Sequence, residues 1–345
     1  MLLSIIIPVY NIEHYVGACI DSVLNQSIDS EQYEIIVVDD GSKDGSLKII
    51  EAFAIQNYNI IVHKQQNVGL GGARKSGLKL AKGKYVYFLD GDDYLANNTL
   101  RQVLDCLEIN KLDILGFNVT TTNQTNLVES TTQVHINTEV DVKDGISFIG
   151  ANDNYRVEVW WYLINREFLL KSGLTFEDKR FVNDSYFTPT LFINAKRVAF
   201  IPIDIYRYVQ RENSITSNKN LRHYEKHIKD LEYAIFKMDD IIATLCRKPS
   251  PNQSAIEKIK IKQESYVFFS IVRFLKSDLK TDYLIGLLKK YKNINAYPIR
   301  LLLKGKEYSN VKFSIITFIF NTNFLLFPCV IFSKSYYGLK RKIFT

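Results

Sequence analysis

The sequence predicts an α/β protein in which a parallel sheet covered by helices precedes a basic helical region. Three observations carry that reading. Four short β-branched or aromatic runs recur in the first 110 residues, amphipathic segments separate them, and the last third repeats Ile, Leu, Phe and Lys at three-to-four-residue spacing. The 345 residues, 46% hydrophobic and 23% charged, exclude a disordered, collagenous or disulfide-stapled chain.

Strands are expected near 3–8, 34–38, 60–63 and 84–89, with helices near 13–26, 44–56 and 71–81 set off by Gly, Asn and Asp. The opening run Leu2-Leu3-Ser4-Ile5-Ile6-Ile7-Pro8 reads as a buried strand, since neither a basic leader nor a small-residue cleavage site accompanies it. Residues 1–110 thus form a Rossmann-like nucleotide half. Residues 111–218 are mixed, and the stretch Thr120 to Asn126 favours a surface hairpin or loop. From 219 to 345 the pattern is helical and breaks at Pro249 and Pro251.

Charge is divided along the chain. Residues 1–218 carry 20 Lys/Arg against 27 Asp/Glu, and residues 219–345 carry 24 against 10, so the net +7 describes neither part. An acidic first two-thirds argues against a DNA-binding core, and no nucleic acid is expected; any polyanion must meet the tail. The apolar run Phe313 to Phe332 is interrupted by Asn321, Thr322, Asn323 and Pro328, which makes a membrane span the second choice rather than the first. Lys304, Lys306 and Lys312 precede it, and Lys334 with Lys340-Arg341-Lys342 follows. That pattern suits a helix lying on an anionic membrane surface, the alternative being a soluble helical subdomain. Cys19, Cys106, Cys246 and Cys329 stand in apolar stretches without a C-x-x-C pair, as buried free thiols of a reducing, cytoplasmic compartment would.

Two acidic clusters follow apolar runs. Asp39-Asp40-Gly41-Ser42 ends the run from Ile35 to Val38, and Asp90-Gly91-Asp92-Asp93 ends the run from Tyr85 to Leu89. At the carboxyl ends of parallel strands both lie where such folds bind ligands. An Asp-Gly turn is the plainer reading of the first. In the second, three carboxylates in four residues repel one another and call for solvent or a divalent cation, with Gly91 leaving room for a ligand. The stretch Asn67-Val68-Gly69-Leu70-Gly71-Gly72-Ala73-Arg74 fails the dinucleotide fingerprint, because Arg74 stands at the third Gly position, and lacks the G-K-[ST] of a phosphate loop. It reads as a Gly-rich start to a helix, with Arg74 either turned toward the sheet edge or a surface charge. His223 and His227 have helical i,i+4 spacing, but Lys neighbours and the lack of an H-E-x-x-H pattern argue against zinc.

In this order and spacing, Ser4 to Asn11, Glu34 to Ser42, Asn67 to Arg74 and Gly83 to Asp93 resemble the family 2 glycosyltransferases of GT-A fold, over roughly residues 3–100. The resemblance implies a nucleotide-sugar-binding half over 1–110 and an acceptor-binding half over 111–218. It implies that Pro8, Val9 and Tyr10 wrap the nucleobase with Glu13 just beyond, and that Asp40 accepts from the base N3–H, which favours uracil, while Asp39 holds the turn. Arg74 then stands near the nucleotide, Asp90 faces the ribose or metal, and Asp92 is the ligand of a Mn²⁺ or Mg²⁺ cofactor. Farther on, Gly173 to Pro189 resembles the segment where the family places Glu-Asp before a helix. Asn183 departs from that pattern; Asp184 keeps the Asp, the general base of such enzymes, a helix N-cap being the plain alternative. The segment Ile205 to Ile215 resembles a Tyr-x-Tyr-x-x-Arg-x-x-Ser motif and implies that Arg211 and Ser214 close over the diphosphate. Trp160-Trp161 could be an acceptor-sugar platform or core.

The expectation is therefore an inverting, metal-dependent glycosyltransferase that moves a sugar from a nucleotide-sugar donor, UDP-linked, to a hydroxyl of a glycan or lipid-linked acceptor in surface polysaccharide synthesis, cytoplasmic or peripheral on the inner face of the plasma membrane. A nucleotide-sugar-binding protein without activity and a basic membrane-bound scaffold are the rivals.

Overall fold

The run Leu3–Val9 sits between two other strands and is buried throughout, on both faces of the sheet, which is why it can be apolar without alternation. In the computed structural model, which describes residues 1–130, 132, 140–153, 155–210 and 221–344, the chain falls into two units, 1–148 with 152–214 and 149–151 with 215–345. The first opens as β1 (Leu3–Val9), α1 (Val16–Leu24), β2 (Tyr33–Asp39), α2 (Ser46–Gln56), β3 (Ile60–Lys64), α3 (Gly69–Leu80) and β4 (Tyr85–Phe88). It continues through β5 (Tyr94–Leu95), α4 (Leu100–Asn110), β6 (Ile114–Thr122), α5 (Gly145–Ala151, whose last three residues count with the second unit), β7 (Tyr162–Asn165), α6 (Arg166–Lys171), α7 (Asp184–Asn194) and β8 (Val198–Val209).

These strands make one eight-stranded sheet in the order β3-β2-β1-β4-β7-β6-β8-β5. β1, β2, β3 and β4 are mutually parallel, as expected of the first 110 residues. The second half differs, since β7 enters antiparallel between β4 and β6, and β5 pairs antiparallel with β8. Thr120, Thr121 and Thr122 belong to β6 rather than to a loop, paired with Arg207, Tyr208 and Val209. Their β-branched side chains suit a half-buried strand.

The strand order reverses direction at β1, whose neighbours β2 and β4 are reached by crossovers to opposite sides. Such a switch point opens a crevice at the carboxyl ends of the strands. The β1–β4 ladder ends at Ile6 and Phe88. Because Leu89 N–H donates to Ile6 O and Asp40 N–H to Val9 O, Pro8 faces the β4 side, where the ladder has already stopped. Its missing N–H therefore costs no strand hydrogen bond.

The second unit comprises α8 (Leu221–Cys246), α9 (Gln253–Lys276), α10 (Thr281–Asn293), 3₁₀ turns at Leu302–Lys304 and Lys306–Tyr308, α11 (Val311–Asn321) and α12 (Asn323–Phe344). The break between α8 and α9 contains Pro249 and Pro251. One core holds the helices together, including Ile228 and Ile235 of α8, Val267, Phe268 and Ile271 of α9, and Leu284 and Leu287 of α10. Glu264 ties the first 3₁₀ turn to α9 by accepting from the N–H groups of Arg300, Leu301 and Leu302 at 2.9, 2.6 and 2.8 Å. Cys19 and Cys106 are buried as expected; Cys246 is exposed at the last residue of α8 and Cys329 is half-buried, so apolar neighbours in sequence overstated their burial.

His227 is buried on α8 and accepts from Arg273 Nε of α9 at 2.8 Å. Burial, with the charge of Arg273 behind it, lowers its pKa to about 3 from the ordinary 6.5. The unfolded chain therefore binds the extra proton between those values, and stability contributed by neutral His227 is lost as pH falls below 6.5. Urea unfolding at pH 7 and pH 5 should show a wild-type loss exceeding that of His227→Gln by about 2 kcal/mol. Equal losses would remove this linkage.

Candidate active site

Two loops meet beyond the end of β1. Asn11 N–H donates to Ser42 Oγ at 3.1 Å and Asn11 Oδ1 accepts from Lys43 N–H at 2.7 Å, so the segments after β1 and β2 are laced together. Glu13 joins this lacing: its carboxylate accepts from Gly45 N–H at 2.5 Å, and its own N–H donates to Asp44 at 3.0 Å. Pro8 and Val9 are buried, while Tyr10 presents a half-exposed ring at the mouth. Asp39 accepts from Ser42 N–H at 3.2 Å and holds the turn.

Asp40 is buried and anchors the start of α3. Its Oδ1 accepts from Gln65 Nε2 at 2.7 Å and Val68 N–H at 2.9 Å, and its Oδ2 from Gly69 N–H at 2.8 Å. A carboxylate offers about four acceptor positions, so one remains. Gly91 is not open space. A Cβ there would come within 2.8 Å of both Pro8 O and Ile12 Cδ1, so the missing side chain lets the loop after β4 press against the end of β1, which corrects the expectation of room for a ligand.

Arg74 lies at the centre. It is 1% exposed, not a surface charge, and its guanidinium forks between two carboxylates: Nη1 donates to Asp184 Oδ1 at 2.7 Å and Nη2 to Asp90 Oδ1 at 2.6 Å. Phe176 lies against its plane, 5.6 Å from the ring centroid. Burial works against the Arg74 charge, but Asp184 and Asp90 outweigh it and hold the group protonated. The rigid fork explains the residue type, since an ammonium would not span both acids in one plane.

Asp184 is the first residue of α7, yet it is no N-cap: Asn183 occupies that position, and the Asp184 carboxylate turns to Arg74 and to the N–H of Val159. Burial pushes its pKa up to about 6 against the pull of Arg74, with Asp90 and Glu158 adding to the rise. Glu158 is a carboxylate of the site that sequence reading missed; its only signal was an acid inside the alternating run Val157 to Trp160.

Asn183 explains its own departure from the Glu-Asp pattern. Nδ2 donates to Glu177 O at 2.9 Å and Arg180 O at 3.1 Å, while Oδ1 accepts from Glu177 N–H at 2.8 Å. A Glu cannot supply the two donors. The folded 177–183 turn packs on α3 where a Cβ at Gly71 would lie 2.3 Å from both Asn183 Nδ2 and Glu177 O. Gly71 thus serves close approach, bringing Asp184 within reach of Arg74.

Asp93 faces the sheet, accepting from Tyr206 OH at 2.5 Å and Val209 N–H at 2.7 Å. Burial, then the charges of Asp92 and Asp90, push its pKa up to about 8. Asp90, besides its contact with Arg74, and the half-buried Asp92 bring hard oxygen donors to the crevice. Among the described residues no group of three His, Cys, Asp or Glu could hold a metal; by chemistry alone, two carboxylates suit a cation that keeps waters and takes phosphate oxygens, as Mg²⁺ or Mn²⁺ does. Trp161 is fully buried against Phe148 and Phe192, and Trp160 stacks on Tyr206 at 4.8 Å, so both are core here. Arg211 and Ser214 lie outside the described residues.

The profile described as Glycosyl transferase family 2 matches residues 4–170. The uncharacterized glycosyltransferase EpsJ of Bacillus subtilis (strain 168) is 33% identical over 232 residues, 66% of this chain and 67% of that protein. The chain belongs to glycosyl transferase family 2. Its activity class is therefore glycosyl transfer. A poly(ribitol-phosphate) beta-glucosyltransferase of Bacillus spizizenii (strain ATCC 23059 / NRRL B-14472 / W23) is 27% identical over 288 residues, 82% of this chain but only 43% of that longer protein. In structure, S. aureus TarS 1–349 in complex with UDP superposes with a TM-score of 0.65 at 19% identity, covering 93% of this glycosyltransferase and 90% of that 1–349 chain, which identifies the GT-A fold.

Restoring the family residue should harm this enzyme. Asn183→Glu leaves the Glu177 and Arg180 carbonyls without donors and should lower stability by about 2 kcal/mol in a denaturant melt. A variant as stable as wild type would reject the assigned role of Asn183.

Proposed function

We propose that this glycosyltransferase moves a sugar from a UDP-linked donor to a hydroxyl of a cell-surface glycan or lipid-linked glycan, with inversion at C1. The observation that carries the reading is the pairing of Asp184 and Asp90 through Arg74 at the switch-point crevice. The nucleobase lies between the segment Pro8 to Tyr10 and the loop anchored by Asp40, whose remaining acceptor position takes the imide N–H of uracil. TarS holding UDP and the glucosyltransferase acting on poly(ribitol-phosphate) support donor and acceptor classes respectively.

Asp184 then takes the proton of the acceptor hydroxyl. The oxygen forms its bond to C1 as the bond from C1 to the diphosphate oxygen breaks, and the nucleoside diphosphate leaves with both electrons. One displacement inverts the anomeric centre. A base with pKa about 6 is ionised at neutral pH and strong enough to accept the proton as the hydroxyl acidifies. Asp92, with Asp90, would hold the Mn²⁺ or Mg²⁺, which when bound supplies charge compensation for the departing diphosphate. Arg74 keeps Asp184 from swinging out of reach and holds positive charge beside the site throughout.

Asp184→Asn should lower kcat by about 10³-fold while UDP still raises the melting temperature; a normal kcat would reject Asp184 as base. Asp92→Ala should lose transfer at saturating Mn²⁺, and full activity would remove Asp92 from the metal. For the wild type, kcat/KM should climb with pH through about 6 and then level, because only ionised Asp184 accepts a proton; a profile flat from pH 5 to 8 contradicts the assignment. Product NMR should show the anomer opposite to the donor's.

A further inference from the structure

Helices α11 and α12 bury one face and expose another of the same apolar character. On the inner face Phe320, Leu326 and Val330 join the core of the helical unit, and Phe313, Ile316 and Ile319 pack against it. On the outer face Ile315, Phe318, Phe324, Ile331, Phe332 and Tyr336 are 52–76% exposed. Ile315 and Phe318 of α11 are three residues apart, and in α12 Phe324 precedes Ile331 and Phe332 by seven and eight and Phe332 precedes Tyr336 by four, so each helix carries a stripe. Among the described residues, half of the large apolar side chains that stand exposed fall between 311 and 336. A concentration of this kind marks a surface that something covers.

The geometry favours lying on a membrane over crossing one. Among the described residues no single helix is long and apolar enough to cross a membrane; α11 and α12 have the length and composition only as a pair, and they meet at an angle of 102°. The bend is fastened to the unit: Asn321 Oδ1 accepts from Ile299 N–H at 2.9 Å, its Nδ2 donates to Ile299 O at 2.7 Å, and Tyr297 OH donates to Phe320 O at 2.7 Å. With one face held in the protein core, the pair can offer only its outer face to a bilayer.

Charge selects the occupant. From Val311 to Thr345 the sequence has five Lys/Arg and no Asp or Glu. Lys312 is exposed beside the α11 stripe, and Lys340-Arg341-Lys342 continue α12 beyond its stripe. Two copies of this face would set like charges against each other with no acid to offset them. An anionic lipid surface supplies both the apolar phase for the rings and the counter-charge for the basic residues.

We propose that the outer face of α11 and α12 is a monotopic docking surface for anionic membrane lipid, with the aromatic and aliphatic stripe seated among the acyl chains near the headgroups and the basic residues against the phosphates. Binding is read without turnover, so it stands or falls apart from the transferase reading.

Flotation of the full chain with vesicles tests it. Vesicles of phosphatidylcholine with about one-third phosphatidylglycerol should carry the protein at least about tenfold better than phosphatidylcholine alone, and high salt should weaken the binding. Phe318→Glu with Phe332→Glu should lose that binding at least about tenfold while the UDP-induced thermal shift stays unchanged. Undiminished flotation of the double variant, or equal binding to both vesicles, overturns the proposal. So does a concentration-dependent dimer that the double variant dissolves while the wild type ignores vesicles, since the occupant is then a second copy. As a check that leaves the stripe apolar, Phe332→Trp should be quenched by brominated phosphatidylglycerol vesicles; an unquenched Trp at that position overturns the proposal as well.

Discussion

One buried guanidinium organises the catalytic unit. Arg74 reaches from α3 to Asp90 at the end of β4 and to Asp184 at the start of α7, joining elements 16 and 110 residues away in sequence. Removing the cation would leave two carboxylates facing each other with little water to separate them, a costly arrangement at short range. The same group that stabilises the fold therefore sets the distance between the carboxylate of the D-x-D element and the proposed base. Structural and chemical demands fall on the same atoms.

The surrounding packing serves that contact. Gly71 lets the 177–183 turn sit on α3, Asn183 closes the turn with two donors and an acceptor, and Asp40 fixes the helix start through Val68 and Gly69. Gly91 does the same for the other arm, drawing the loop after β4 against the end of β1. Glycines that read in sequence as a helix start, at Gly71, or as room for a ligand, at Gly91, are here points of close contact between protein segments. Asn183 is likewise no defect in the motif; it trades a carboxylate for donors the turn requires.

What was legible in the sequence follows from local physics. Strands β1 to β4 announced themselves because buried parallel strands must be continuous and apolar, and their ends because the acids follow directly: Asp39 and Asp40 after β2, Asp90 and Asp92 beyond β4. The antiparallel insertion of β7 was not legible, since its partners Tyr85 and Val86 lie nearly 80 residues upstream and no local pattern encodes that pairing. The burial of Arg74 needed the position of Asp184, and Glu158 entered the site only through the fold of the segment ending at Trp160. Cys246 and Thr120 to Thr122 misled for the opposite reason: their neighbours in sequence are not their neighbours in space.

The most direct measurement is a double-mutant cycle on stability between Arg74→Met and Asp184→Asn, read by urea unfolding of both single variants and the double. If Arg74 and Asp184 form the buried pair on which the site is built, the double variant should be more stable than the sum of the single losses predicts, by at least about 1 kcal/mol. Losses that add to within about 0.4 kcal/mol would mean the two groups act independently, and the account of the site as one clamped unit would be wrong.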